Sequence, residues 1–426
     1  MNNIKKTSIL LFASTLSLFI AGCGYDNEGE NVVGSSQLLK ITPLFDISAD
    51  KLQPIVTSLD PTKAAFGIKG YKIVYTTKDE KGNDIKASGL VTVPVPTKMI
   101  LAGLKAKGKN YSMSIVSDQH GTIFKDIEAP TNVAQSIKDG GNNPMLLIDP
   151  KNWTISPVFA SSVMGGFLTI QPDYIGFGES KDTPHPYLLE KSSASTVIDL
   201  IKSTIKFGND NSLPLNGQIY LTGYSEGGYV TLAAADEIEK NHPQLHLNGV
   251  APMSGPYDLN LTGMGVLSQD NIGRPDFIGG IINSYSQTYD YKLDTILNPQ
   301  YASKFETLYD KIKGPQEIIP ELTNTTAEFF IPTYMRDFLT NPKNALRSNF
   351  IENSVDDFKP TAPTRLLYCG GDKTIDPRIS LSASKKMGVN SYDLNSSANH
   401  TECFKGAYQA AITWFDELRS PKEGAK

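Results

Sequence analysis

Cysteine is scarce, with three in 426 residues. That excludes a disulfide scaffold and a structural zinc site built mainly from thiolates. Histidine is nearly as scarce, with five, so the search for a histidine base is short. A basic excess is missing too. Forty Lys plus Arg against 45 Asp plus Glu leaves a net charge of −5, which does not suit a nucleic-acid backbone, and no nucleic-acid partner is expected. Apart from residues 9–20 no stretch is long and apolar enough to suggest a membrane segment. With 20% charged and 39% hydrophobic residues, the chain is neither wholly disordered nor collagen-like. Its length suggests one large domain with insertions, or two to three small ones.

The first residues read as an address. Lys5 and Lys6 precede the apolar run Ile9 to Ile20, which ends in Ile20-Ala21-Gly22-Cys23. Charge, core length and small residues are those of an export signal. The tetrapeptide resembles the bacterial lipobox, which implies that residues 1–22 are removed and that Cys23 carries lipid. The alternative is an ordinary cleaved signal with an incidental cysteine. Residues 23–40 are polar and rich in Gly, Ser and Asn, and read as a flexible tether. The expectation is a protein of the cell envelope, held on the outer face of a bacterial membrane by its N-terminal lipid.

From residue 41 to 420 the chain reads as one domain. Tyr71 to Thr77 and Ile85 to Val93, joined by KDEKGND, predict an antiparallel hairpin. Strands are expected at Met113 to Ser117, Phe167 to Gln171, Gln218 to Thr222, Leu247 to Pro252, Arg365 to Cys369 and Tyr392 to Leu394. Helices are expected between them. Ala194, Val197, Ile198, Ile201 and Ile205 mark one, and Tyr229 to Lys240, Arg378 to Met387 and Phe404 to Leu418 three more. The alternation implies an α/β fold with a mostly parallel sheet flanked by helices. It stops for about a hundred residues, roughly 257–360, too many for a bare loop. They read as a helical cap whose Phe329, Phe330 and Tyr334 line an apolar channel or pack the cap's own core.

The densest local signal is Gly223-Tyr224-Ser225-Glu226-Gly227-Gly228, between a strand and an Ala-rich helix. A serine at such a turn needs strained dihedrals and neighbours without bulk, and Gly223 and Gly227 meet that need. The turn would present the Ser225 hydroxyl beside free helix N–H groups. The bland alternative is a glycine-rich turn with an exposed serine. A serine nucleophile needs a base. His242 and His246 fall at the far end of the sheet. His400, between the last strand and last helix, gives the chain order Ser, Asp, His. The acid would come from Gly370-Gly371-Asp372-Lys373-Thr374-Ile375-Asp376-Pro377. Asp372 is nearer the strand end and is favoured. Asp376 is the alternative acid, and whichever is not used becomes a helix cap.

With these residues in place the chain resembles the α/β-hydrolase fold serine esterases, in particular the secretory-lipase-like branch. The resemblance spans most of residues 65–420. It rests on the YKIVYTT…GLVTVP hairpin, QHGT at 119–122, QPDYIGFGES at 171–180, PHPY at 184–187, GYSEGG, GGDKTID and NHT at 399–401. It implies ester hydrolysis through a Ser225-His400-Asp372 triad and an acyl-enzyme, without metal or organic cofactor, on a small-molecule or lipid ester. It also implies an oxyanion hole from the backbone N–H groups of Glu226 and Thr122. His120 is then a loop-shaping residue or an exposed strand-end histidine. Asp173 is expected to hold loop N–H groups, and His185 to line the entrance or satisfy a carbonyl. Two departures stand out. Ile375-Asp376 replaces the usual small apolar residue and proline, which keeps Asp376 in play. Glu226 puts a charge beside the site, directed to solvent or a loop partner. If Asp372 and His400 touch, Cys369 and Cys403 approach as well, either bonded in an oxidising envelope or as two small buried residues. Rival readings are a serine peptidase or acyltransferase with the same triad, and a non-catalytic ligand-binding surface lipoprotein.

Overall fold

The computed structural model describes residues 37–419. The leader 1–22, the lipidation candidate Cys23 and the tether up to residue 36 lie outside the described residues, as does residue 420. Nine strands are described: β1 (Leu38–Ile47), β2 (Gly67–Lys78), β3 (Asp84–Val95), β4 (Met113–Gln119), β5 (Leu168–Pro172), β6 (Leu215–Tyr224), β7 (Leu247–Met253), β8 (Arg365–Tyr368) and β9 (Asn390–Asp393). They form one sheet in the order β1-β2-β3-β5-β4-β6-β7-β8-β9. From β5 to β9 all neighbours are parallel, and β1 to β3 add antiparallel strands at one edge. The expected α/β architecture is therefore present.

Alternation along the central strands explains the layering. Ile115, Ile219, Leu221, Val250 and Leu366 face one core, with helices Glu190–Asp210 and Glu226–Asn241. Val116, Tyr220, Ala251 and Leu367, one residue on, face the other core and helix His400–Arg419. A period of two buries both faces only when helices cover each. Crossovers between parallel neighbours bring the loops after β4, β6 and β8 to one edge, where ligands bind in open α/β sheets.

Three expectations change. Leu38 to Lys40 belong to β1, inside the segment read as tether. Pro43 and partly exposed Ile41 disguise that strand, and proline is tolerated because β1 is the edge and its register breaks between Pro43 and Phe45. The hairpin β2-β3 is therefore not the outermost pair. Helices Ala49–Leu59, Lys98–Ala106 and Pro130–Asp139 were also not foreseen. Between β7 and β8 the chain is helical, from Leu259–Leu267 to Ala345–Glu352. Phe329 is fully buried there against Tyr301, Phe305 and Phe330, so it packs the cap's own core. Phe330 and Tyr334 line a narrow apolar cavity with Leu259, Val266, Ile282 and Phe338.

Asp118, near the end of β4, is buried, and burial pushes its carboxyl up to about 7 against the opposing hydrogen bonds from Tyr408 and Gln171, each 2.6 Å. An unfolded aspartate ionises near pH 4, so folding takes up a proton here between about pH 4 and 7. Its contribution to stability is full below about pH 4 and falls by up to about 1.4 kcal/mol per pH unit until the folded group ionises. Chemical denaturation at pH 4.5 and 7 of wild type and Asp118→Asn is expected to show this component of the slope only in wild type.

Candidate active site

Ser225 follows β6 directly and precedes helix Glu226–Asn241. Its φ of 61° and ψ of −122° lie where a non-glycine residue is strained. What holds it there is crowding. A Cβ on Gly227 would stand 1.8 Å from the Gln119 carbonyl oxygen, and one on Gly223 would stand 2.4 Å from the Gly227 oxygen. The Ser225 N–H donates to Met253 O at 2.9 Å, which ties the turn to β7. The serine itself is 8% exposed.

The loop after β4 packs against this turn. A Cβ on Gly121 would lie 3.1 Å from Tyr224 O and 3.5 Å from Ser225 Cβ, so that backbone reaches the serine. Neither the Thr122 nor the Glu226 N–H has an acceptor among the described residues. Two unspent donors beside a strained serine are what a developing oxyanion requires.

His400 opens the last helix. Asn399 Oδ1 accepts from the Glu402 N–H, and Glu402 Oε2 accepts from the Asn399 N–H, both at 3.0 Å. This reciprocal cap starts the helix and fixes the ring's origin. His400 Nδ1 lies 2.6 Å from Asp372 Oδ2. Asp372 Oδ1 accepts the N–H groups of Thr374 and Ile375, each 2.9 Å. Asp372 is buried and His400 mostly so. Tyr224, the residue before the serine, donates its hydroxyl to His400 O at 2.6 Å, with ring centroids 4.9 Å apart. Ser225 Oγ has no hydrogen-bond partner among the described residues.

Asp376 is elsewhere. It caps helix Pro377–Met387, accepting from Arg378 N at 2.9 Å, and the Arg378 guanidinium holds its carboxyl below the usual range. Cys369 and Cys403 are joined by a disulfide, with Cα atoms 6.0 Å apart, so the loops that carry Asp372 and His400 are covalently tied. Asp173 accepts from Ser88 Oγ, Thr131 N and Thr131 Oγ1, an anchor for buried loops. His120 is 1% exposed, contrary to the strand-end alternative. Its Nδ1 meets Gly121 O at 2.7 Å, and burial lowers its pKa. His242 is part-exposed and His246 exposed.

Glu226 does not face solvent. It is 3% exposed and its Oε1 lies 3.1 Å from His185 Nε2. His185 Nδ1 lies 2.8 Å from Ile175 O. Both imidazole nitrogens thus face oxygen acceptors. Sequence reasoning left this partner open. A buried carboxylate needs a partner, and PHPY held one of few histidines able to supply it.

The sequence pattern of the secretory lipase family matches residues 153–423. The chain belongs to the secretory lipase family. Lipase 6 of Candida albicans is 23% identical over 275 residues, which cover 59% of this chain. The chain spans about half the length of that curated relative, 55%. The solved structure of a Legionella pneumophila protein superposes with a TM-score of 0.77 at 23% identity, covering 90% of this chain and 99% of that one. The rice cell wall degrading esterase LipA of Xanthomonas oryzae gives 0.72 at 21%, covering 90% and 98%. At these identities the structural likeness is one of fold.

Because Gly227 has no room for a methyl group, Gly227→Ala is expected to force the helix off β4. Denaturant unfolding should report a loss above about 3 kcal/mol, or the variant should fail to accumulate. A Gly265→Ala control, where the helix face is open, should be neutral or stabilising.

Proposed function

We propose that the protein is a serine esterase that hydrolyses carboxylic esters through an acyl-enzyme on Ser225. His400 Nε2 removes the hydroxyl proton as Oγ attacks the ester carbonyl. Asp372 keeps the imidazole proton on Nδ1 and stabilises the imidazolium. The tetrahedral oxyanion is received by the N–H groups of Glu226 and Thr122. His400 then passes its proton to the leaving alcohol, and water repeats the sequence to free the acid. The observation that carries this reading is the strained Ser225, whose neighbour Tyr224 packs on His400, together with the His400–Asp372 contact at 2.6 Å. The open Ser225 Oγ is compatible with it, since catalytic hydrogen bonds often tighten only around substrate. Membership of the secretory lipase family and the esterase among the structural neighbours support the substrate class. The reading includes an N-terminal lipid on Cys23 that holds the enzyme to the cell envelope.

A fluorophosphonate probe is expected to label wild type and not Ser225→Ala; equal labelling, or none in either, would remove the hydrolase reading. With p-nitrophenyl esters, Asp372→Asn should lower kcat by about 10³–10⁴. Asp376→Asn should stay within about threefold of wild type in kcat and cost at most about 1 kcal/mol of stability. The reverse ranking would exchange the two acids. For the anchor, a clickable palmitate analogue fed to expressing cells should appear in wild type and not in Cys23→Ser.

A further inference from the structure

One segment of the described domain has no fully buried residue, only Pro96, Thr97, Ile100 and Leu104 being half-buried. Between β3 and β4 the chain leaves the sheet as an arm, residues 95–110. Tyr111 closes its base, donating its hydroxyl to Pro94 O at 3.3 Å with its ring stacked on Phe66 at 6.2 Å. The arm carries helix Lys98–Ala106, capped by Thr97, whose Oγ1 accepts the Ile100 N–H at 3.2 Å. No residue of this helix is buried, and Met99 and Leu101 are 66% and 43% exposed. At about 100° per residue, Met99, Ile100, Leu101 and Leu104 share one broad side, and Lys98, Ala102 and Lys105 the other. Lys107 and Lys109 follow. The arm therefore holds four lysines and no Asp or Glu, in a chain of net charge −5. None of the four forms an ion pair among the described residues.

Such apolar exposure calls for a cover, and the lysines say of what sign. A second copy across a two-fold axis would set lysines against lysines. We propose that the arm docks on an anionic lipid surface. Its apolar side enters the headgroup–acyl boundary while the lysines reach the lipid phosphates. A nine-residue helix is about 14 Å long, against a core of about 30 Å, so it lies in the interface and does not cross it. No helix among the described residues is long and apolar enough to cross. The register fixes what faces away. β3 runs antiparallel to β5, with Gly89 opposite Pro172 and Thr92 opposite Thr169. Val95 thus ends at the edge where the parallel strands begin, and Ser225 stands at the edge where they finish. Docking through the arm turns the site away from that lipid surface. The inference does not rest on the ester chemistry.

The test uses the full chain carrying Met99→Cys with an environment-sensitive fluorophore, the parent labelled identically supplying the background. The readout is local to residue 99, so attachment through the N-terminus does not mimic it. Phosphatidylcholine vesicles containing about one-third phosphatidylglycerol should raise and blue-shift the emission, and pure phosphatidylcholine vesicles should not. Changing Lys98, Lys105, Lys107 and Lys109 to Gln should weaken partitioning at least about tenfold, and high salt should do the same. The thermal transition should stay in place, because these residues are exposed. An equal response on both vesicle types would overturn the proposal, as would a quadruple variant that partitions like its parent. So would a dimer in sedimentation that the variant dissolves while vesicles leave the emission unchanged.

Discussion

The site depends on how closely two backbones approach. Where helix Glu226–Asn241 leaves β6 it runs so near the end of β4 that a methyl group on Gly227 would overlap the Gln119 carbonyl. That contact forces Ser225 into its positive φ and brings the loop 120–122 beside it. It also leaves two N–H groups, one from the start of the helix and one from the loop after β4, without acceptors among the described residues. Widening the gap by one carbon would relax the strain and separate the donors together. Strain at Ser225 and unpaired N–H groups are thus two consequences of one packing constraint, held by buried strands on either side.

The two residues on either side of Ser225 each meet a histidine, Tyr224 the His400–Asp372 pair and Glu226 its own partner His185, and the hydrogen bonds of the two pairs give them different chemistry. In the His400–Asp372 pair only Nδ1 is engaged, so Nε2 keeps a lone pair that can take a proton. In the His185–Glu226 pair both nitrogens are occupied, one by Ile175 O and one by the carboxylate. That imidazole has no lone pair to offer toward the serine. The second pair instead anchors Glu226, the first residue of the helix, whose N–H is a candidate oxyanion donor.

Much of this was legible in the sequence, and the exceptions share a cause. The central strands and the serine turn were visible because their signals are local: period-two apolar runs, and glycines spaced around a serine. The choice of Asp372 over Asp376 was only partly legible, since both follow β8 within a few residues and the decision lies in which carboxylate faces a loop 28 residues away. β1 was hidden because an edge strand with a proline and half-exposed side chains looks like linker. Glu226's partner was hidden because the pairing crosses 41 residues and two elements. The helix Lys98–Ala106 was missed because no residue of it is buried, so no core face organised its pattern.

The remaining constraint concerns Asp372 and His400, which come from the thin end of the sheet. β8 and β9 have four residues each, and β9 is an edge with no buried residue. Strand pairing alone gives little stiffness there. The Cys369–Cys403 bond compensates by closing a loop of 34 residues, worth about 3–4 kcal/mol on chain-entropy grounds. Its two ends lie three residues from Asp372 and three from His400. The reciprocal Asn399–Glu402 cap and the N–H groups of Thr374 and Ile375 then fix the two side chains within that closed loop. Three of the chain's scarcest residues, Cys369, Cys403 and His400, are therefore spent on one short contact. The cysteines that could not support a scaffold suffice because only two loops need holding.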